Sequence, residues 1–410
     1  MDFNPIILSI PIYFLLIGIE LLIERFSKRK LYRLNDAITN ISCGVTQQLT
    51  NIFFKVLGVA AFAFVYEYRF FTIPENALTF ILLFIAVDFC YYWAHRMSHE
   101  INLFWGGHVV HHQSEDYNFS VALRQGSFQI LWTFSFYLPL ALIGFNPTTF
   151  VFVSALVTVY QFWIHTETIG KLGWLEYVFN TPSHHRVHHG RDPKYIDRNH
   201  AGVFIVWDRL FGTFQEEEER PVYGITKPTN SWNPLWVNLA HYHQMWQTMK
   251  AIPSSSDKVR YIFYKPGWLP AEMGGMQPIP EVDRTSYIKY NPRFQRGVIP
   301  YVMTQYVIAL LITAVFLFTM ESSAWYENLM IVSLIIMLVV SCGGMLENRS
   351  WVTPFEFIRL SLSAGIVTVM HYALDFPFYL LPAAMLYAIV SAGWFFYLNR
   401  ALKSSSVSLS

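Results

Sequence analysis

The strongest constraint on this chain is a series of apolar stretches, each long enough to cross a bilayer. A spanning helix needs about 20 mostly apolar residues, and such stretches occur at 5–24, 40–66, 77–95, 127–146, 148–168, 298–320, 324–346, 356–374 and 376–398. The expected fold is therefore all-α: a polytopic membrane helical bundle of about nine spans. The second stretch is the weakest, because Gln47, Gln48, Asn51 and Lys55 interrupt it, and a partly interfacial placement is open. Residues 171–296 are polar and rich in Trp, Pro and Gly; their acidic run, Glu216 to Glu219, reads as a solvated surface loop. The layout is five spans, a water-facing segment and four more spans.

Charge agrees with this reading. Only 14% of residues are charged, where soluble domains carry roughly 25%, and the mean hydropathy is +0.31. A net charge of +1 gives no sign of a nucleic-acid partner. Cys43, Cys90 and Cys342 lie far apart in apolar stretches and suggest neither a disulfide framework nor a sulfur-ligated metal. The first stretch has no basic region before it and no small-residue cleavage site, so it reads as an anchor. Arg25, Lys28, Arg29, Lys30 and Arg33 crowd the first loop and place it in the cytoplasm. Alternation puts the ends of spans three and five on that side. Arg293, Arg296, Arg349, Arg400 and Lys403 fall there too.

Eleven of the fourteen histidines lie between residues 95 and 200. His95 and His99 are four apart, the spacing at which helical side chains meet. His108, His111 and His112 follow in "WGGHVVHHQSEDYN"; "TPSHHRVHHG" repeats that spacing as His185, His188 and His189, with His184 beside them. His165 ends span five. All of these can converge on one membrane face, whereas His371 belongs to the opposite one. A lone HxxxH is most often ordinary structure, but two HxxHH runs with an HxxxH on one side point to metal. Eight or nine imidazoles exceed the four ligands of one closed zinc site, so two ions are the natural count. Imidazole suits Fe, Zn, Cu and Ni alike.

The order HxxxH, HxxHH and a second HxxHH, followed by "WDRLFGTF" (207–214), resembles the fatty acid hydroxylase/sterol desaturase superfamily of membrane di-iron enzymes. Within it, "TPSHHRVHHG", the "KPGW" at 265–268 and the extra C-terminal spans are similar to the alkylglycerol monooxygenases. The resemblance implies metal ligands at His95, His99, His108, His111, His112, His165, His185, His188 and His189. It implies a cytosolic di-iron cap that activates O2 and hydroxylates a membrane lipid, here the ether-bearing carbon of an alkylglycerol. The electron donor would be a tetrahydropterin or a redox protein. Glu100 fills the acidic position after the first HxxxH. The superfamily usually has an aromatic residue and glycine after Asn199, where this chain has His200–Ala201–Gly202; His200 is taken as a local variant and not a ligand. The implied domains are membrane spans (1–76), di-iron core (77–215), connecting segment (216–296) and C-terminal spans (297–410).

Asp88 lies two helical turns before His95 inside a span, where an ionisable residue is functional by default. Its expected role, with Glu100 the catalytic-class candidate, is to hold the free N–H of a ligand; pairing with a neighbouring polar group is the plainer reading. Asp208 could act likewise, or cap, or pair with Arg209. Glu115, Asp116, Asn118, Arg124 and Gln125 either line the site or form a surface loop. Tyr91, Tyr92 and Trp93 read as belt and core. Rival functions are fatty acid hydroxylation, sterol desaturation or methyl oxidation within the superfamily, and a non-catalytic metal-binding membrane protein. Transport would place ligands near the midplane in broken helices, and no HExxH motif supports a zinc hydrolase.

Overall fold

The computed structural model describes residues 5–292, 294, 297–374 and 377–407. Arg293 and Arg296 lie outside the described residues, as do Phe376 and the side chain of Lys403. The chain divides into two compact units, Met1–Asn230 with Trp236–Lys289, and Ser231–Leu235 with Tyr290–Ser410.

The first unit is built on α1 (Pro5–Ser27), α2 (Leu34–Tyr66), α3 (Ala77–Glu100), α4 (Asn102–His112), α5 (Pro147–Tyr160) and α6 (Pro182–His188). A reciprocal capping box starts α3: the Asn76 side chain accepts from the Thr79 backbone N–H, and Thr79 Oγ1 accepts from that of Asn76. Such a cap contributes about 1 kcal/mol. One face of α3 buries Leu83, Val87 and Cys90 against Phe62, Val153, Val157 and Val203. Ile101, with extended backbone (φ −116°, ψ 120°), ends α3 and turns the chain into α4. The polar residues that weaken the second apolar stretch have an explanation. The first half of α2 turns Asn35, Asp36, Thr39, Asn40, Ser42 and Thr46 into protein, where Asn40 meets Ser120 and Arg124, and Asp36 meets Ser114.

Among the described residues, six helices are long and apolar enough to cross a membrane: α2, α3, Val298–Ser322, Trp325–Leu346, Val352–Leu374 and Leu380–Arg400. Of the nine expected stretches, 5–24 lies in α1, which is not among these six, and two more fall short at 127–146 and 148–168. These give only the short apolar helices Ile130–Ile143 and Pro147–Tyr160, each about 21 Å long at 1.5 Å per residue, against a hydrocarbon core of roughly 30 Å. Gly144, at φ +113°, ends the first, and Asn146 with Pro147 starts the second.

The second unit is a bundle of α7 (Val298–Thr319), α8 (Trp325–Leu346), α9 (Val352–Leu374) and α10 (Leu380–Val407), in which each helix packs on the next and α7 also meets α10.

Candidate metal centre

His95 and His99 stand on the last turns of α3, His108, His111 and His112 on α4, and His185 and His188 on α6, with His189 as its C-cap. His165 follows α5. All nine are buried, and they form two groups. His95, His99, His108, His112 and His188 offer ring nitrogens within 4.8 Å of one another, as do His111, His165, His185 and His189. The nine sequence candidates are thus all brought together; His371, in the second unit, is in neither group.

The rings are aimed by acceptors from elsewhere in the fold. Gly126 lets the 124–129 loop press on α4, since a Cβ there would sit 1.8 Å from the Gly107 carbonyl oxygen. That approach delivers the Arg124 carbonyl to His111 Nδ1 (2.9 Å) and Gln129 Oε1 to His108 Nδ1 (3.2 Å). The His200 carbonyl accepts from His95 Nδ1 (2.7 Å), that of Gln161 from His165 Nδ1 (2.8 Å) and that of Arg198 from His188 Nδ1 (2.9 Å). A carbonyl can only accept, so these Nδ1 atoms carry the proton and their Nε2 atoms present lone pairs. Yet His165 Nε2 lies 3.1 Å from His111 Nε2, and His95 Nε2 lies 2.9 Å from His108 Nε2. In both contacts lone pair faces lone pair.

Protonation does not relieve this. Burial, reinforced by neighbouring imidazoles, holds His108, His112, His165, His185, His188 and His189 well below the usual histidine range. Burial pushes His111 down to about 4. His99, His188 and His189 present Nε2 with no hydrogen-bond partner. Two nitrogens about 2.1 Å from one ion and at right angles are about 3.0 Å apart, the separation found here. The donor set fits a metal cation in each group.

The supporting residues differ from expectation. Asp88 holds no histidine ring: its carboxylate accepts from the Val203 and Phe204 N–H groups (2.7 and 3.0 Å) and from Trp207 Nε1 (2.9 Å). Its assigned partner is corrected accordingly, because the loop after α6 packs over that face of α3. Asp208 caps the same loop, accepting from the His200 and Ala201 N–H groups at 2.8 Å each. Glu100 accepts from Arg96 Nε at 2.9 Å. Glu115 and Asp116 face Arg33, and Asn118 donates to the Leu31 carbonyl. Gln125 Nε2 comes within 3.4 Å of His111 Nδ1. The acidic run is not wholly solvated, since Glu217 grips Arg186 of "HHRVHH" through two 2.7 Å bonds.

Sequence reasoning missed Asp197, whose Oδ1 lies 3.4 Å from His99 Nδ1 while Lys265 Nζ holds Oδ2 at 2.9 Å. Lys265 opens "KPGW", the one advance signal. It missed the surroundings of His200 as well.

Residues 80–213 match the fatty acid hydroxylase family model. The chain is similar to the alkylglycerol monooxygenase of Homo sapiens, 39% identical over 354 residues that cover 85% of this chain and 79% of the relative. It is 36% identical to that of Xenopus tropicalis over 389 residues, covering 93% and 86%. An ornithine lipid hydroxylase of Rhizobium tropici is 28% identical over 151 residues, covering 34% and 42%. No solved structure matches the chain.

Proposed function

The chain belongs to the fatty acid hydroxylase family through its alkylglycerol monooxygenase branch, and from that membership we propose that it uses two histidine-bound irons to hydroxylate the ether-bearing carbon of an alkylglycerol. It is a lipid-hydroxylating membrane monooxygenase; the two irons, the ether lipid and a tetrahydropterin reductant are the proposal. The observation that carries the metal reading is the pair of Nε2-to-Nε2 contacts whose Nδ1 atoms are already committed to acceptors. When bound, the irons supply the redox chemistry that activates dioxygen.

The chain's residues supply a dry, nitrogen-rich enclosure. Nine imidazoles would hold the ions, and acceptors on the far sides of His95, His108, His111, His165 and His188 keep their lone pairs inward. Imidazoles withstand an oxidising centre where thiolates would themselves be oxidised; Cys43, Cys90 and Cys342 are in neither group. Over the reaction, one oxygen atom enters the C–H bond beside the ether oxygen and the other leaves as water, with two electrons from the reductant and two protons. The hemiacetal then collapses to a fatty aldehyde and a glycerol.

A cytosolic position for the centre is supported by the basic first loop. Arg33 pairs with Asp116 (2.7 Å), four residues past His112, and Arg29 reaches the Glu167 carbonyl, two residues past His165. By the positive-inside rule that loop stays in the cytosol. A cysteine placed at Lys28 should resist an impermeant maleimide in intact cells.

The deciding experiment incubates purified protein with an alkylglycerol, oxygen and a tetrahydropterin, and measures fatty aldehyde beside metal content. Aldehyde formation with about two irons per chain is expected from the ligand count. Oxidation of free fatty acids or sterols alone would move the enzyme to a sister reaction, and metal-free active protein would remove the centre.

A further inference from the structure

The polar segment after residue 171 carries a helix, Pro234–Ala251, with two unlike faces. From Trp236 onward one face is fastened along the histidine-bearing α4 and the loop after it. Gln113 Nε2 donates to the Val237 carbonyl (3.1 Å), and Asn238 Oδ1 accepts from the Ser127 N–H (2.8 Å). His241 Nε2 donates to Asn102 Oδ1 at 3.0 Å. Gly106 makes room for this approach, since a Cβ there would lie 2.6 Å from the Tyr242 ring. Val237, Asn238 and Met245 are buried on that face.

At about 100° per residue, Trp236, Leu239, His243, Trp246 and Lys250 fall within roughly 80° of one another on the opposite face. All five are exposed, Trp246 by 56%. The Trp236 and His243 rings lie 5.6 Å apart, and Lys250 Nζ stands 5.2 Å over the Trp246 ring. Tryptophan beside lysine on one apolar stripe suits a membrane–water boundary. The indole buries its body while its N–H stays among headgroups, and the lysine stem reaches up to phosphate.

The position of the helix agrees. With 24 residues, α3 is about 36 Å long, slightly more than a hydrocarbon core of roughly 30 Å, so its end reaches the headgroup layer. Asn102, two residues beyond, holds His241. Its backbone N–H and Nδ2 also donate to the Tyr264 and Tyr261 carbonyls (2.9 and 3.0 Å), at the end of the helix Ser255–Phe263. Trp246, five residues past His241, is about 8 Å farther along the axis. Between 236 and 265 the chain carries Lys250, Lys258, Arg260 and Lys265 against one acid, Asp257.

We propose that the outer face from Trp236 to Lys250 lies in an anionic phospholipid surface, on the side of the membrane where α3 ends. Trp236, Leu239 and Trp246 enter the acyl boundary, and the basic residues draw the segment to lipid phosphates. Because the same helix is bonded along α4, it holds the histidine groups against the lipid. The inference rests on the membrane placement of α3 and not on the metal.

The test places the full chain in nanodiscs of phosphatidylcholine with phosphatidylserine and attaches a nitroxide at Leu239→Cys or Trp246→Cys. Cys43, Cys90 and Cys342 are buried and escape the label. Glu218→Cys, exposed in the acidic run, is the aqueous reference. Collisions with oxygen, which concentrates in lipid, should exceed those with a water-soluble nickel chelate several-fold relative to that reference. Nickel dominating at both positions overturns the proposal. So does exclusion of both reagents, which would mean that a second copy or another protein covers the stripe. If the labelled chains do not fold, Trp246→Phe is read instead: it should remove part of the fluorescence that brominated lipids quench, and unchanged quenching overturns the proposal. Omitting phosphatidylserine should draw the Trp246→Cys label outward; equal depth in both compositions overturns the choice of an anionic surface.

Discussion

Each unit buries a dense polar cluster, the histidines in the first and a network around Arg359 in the second, and these two are satisfied in opposite ways. In the second unit Arg359 donates to both Glu356 oxygens (2.8 and 2.5 Å), to Tyr387 Oη (2.9 Å) and to Gln305 Oε1 (3.1 Å). Tyr301 and Ser341 complete the Glu356 carboxylate, and Gln305 donates to Ser391. Four helices thereby share one closed network in which donors meet acceptors. In the first unit five imidazoles, His95, His108, His111, His165 and His188, are fastened on their outer sides and left with lone pairs turned toward other rings. Buried polar groups that complete one another hold helices together; buried acceptors that converge on one point without a donor are waiting for a cation. The difference teaches that satisfaction, and not burial or charge, separates a structural cluster from a binding site.

The contrast can be broken in order of effect. His188→Ala should abolish turnover and empty at least the five-histidine group, read by activity and metal analysis; retained activity would strike it from the ligands. Glu356→Ala leaves Arg359 buried without its anion and should cost about 3–5 kcal/mol. Thermal melts would show this as a lowered Tm, with metal per folded chain unchanged; a parallel loss of metal would mean that the second cluster is not merely structural. Asp197→Asn should weaken metal binding by about 10–100-fold, measured by competition with a chelator.

Acid sharpens the same distinction. The clustered histidines outside the spans, His108, His111, His112, His165, His185, His188 and His189, have folded pKa values depressed below the ordinary 6.5, to about 4 for His111. Between those values the unfolded chain binds more protons than the folded one, so stability rises with pH across the window and is lost as pH falls. Metal-free protein should therefore melt progressively lower from pH 7 to pH 4.5. A flat profile would mean that the buried rings are not held neutral. The smallest effect is expected of Lys265→Met, whose ammonium is partly exposed: a few-fold loss of metal affinity, additive with nothing once Asp197 is already Asn.

Much of this was legible because it is local. HxxxH and HxxHH put rings on one helical face whatever surrounds them, and apolar length announces a bilayer. Grouping was not legible. His111 and His112 are neighbours in sequence, yet about 100° apart around a helix, and each falls in a different group; His188 and His189 divide likewise. Hydropathy counted 127–168 as two spans because it weighs side chains and not the breaks at Gly144 and Pro147. Spacing placed Asp88 on the face of His95 but could not foresee the 203–207 loop that occupies it.

Composition and periodicity alone determined a helical membrane protein with imidazoles clustered on helical faces, since both follow from backbone geometry and solvent. Only the tertiary structure decided which nitrogen of each ring faces inward, because the acceptor that sets it can be remote. His165 takes the carbonyl four residues back, but His95 depends on one 105 residues away. Such a distance carries no periodic trace, and it is contact across the fold that turns nine histidines into two sites.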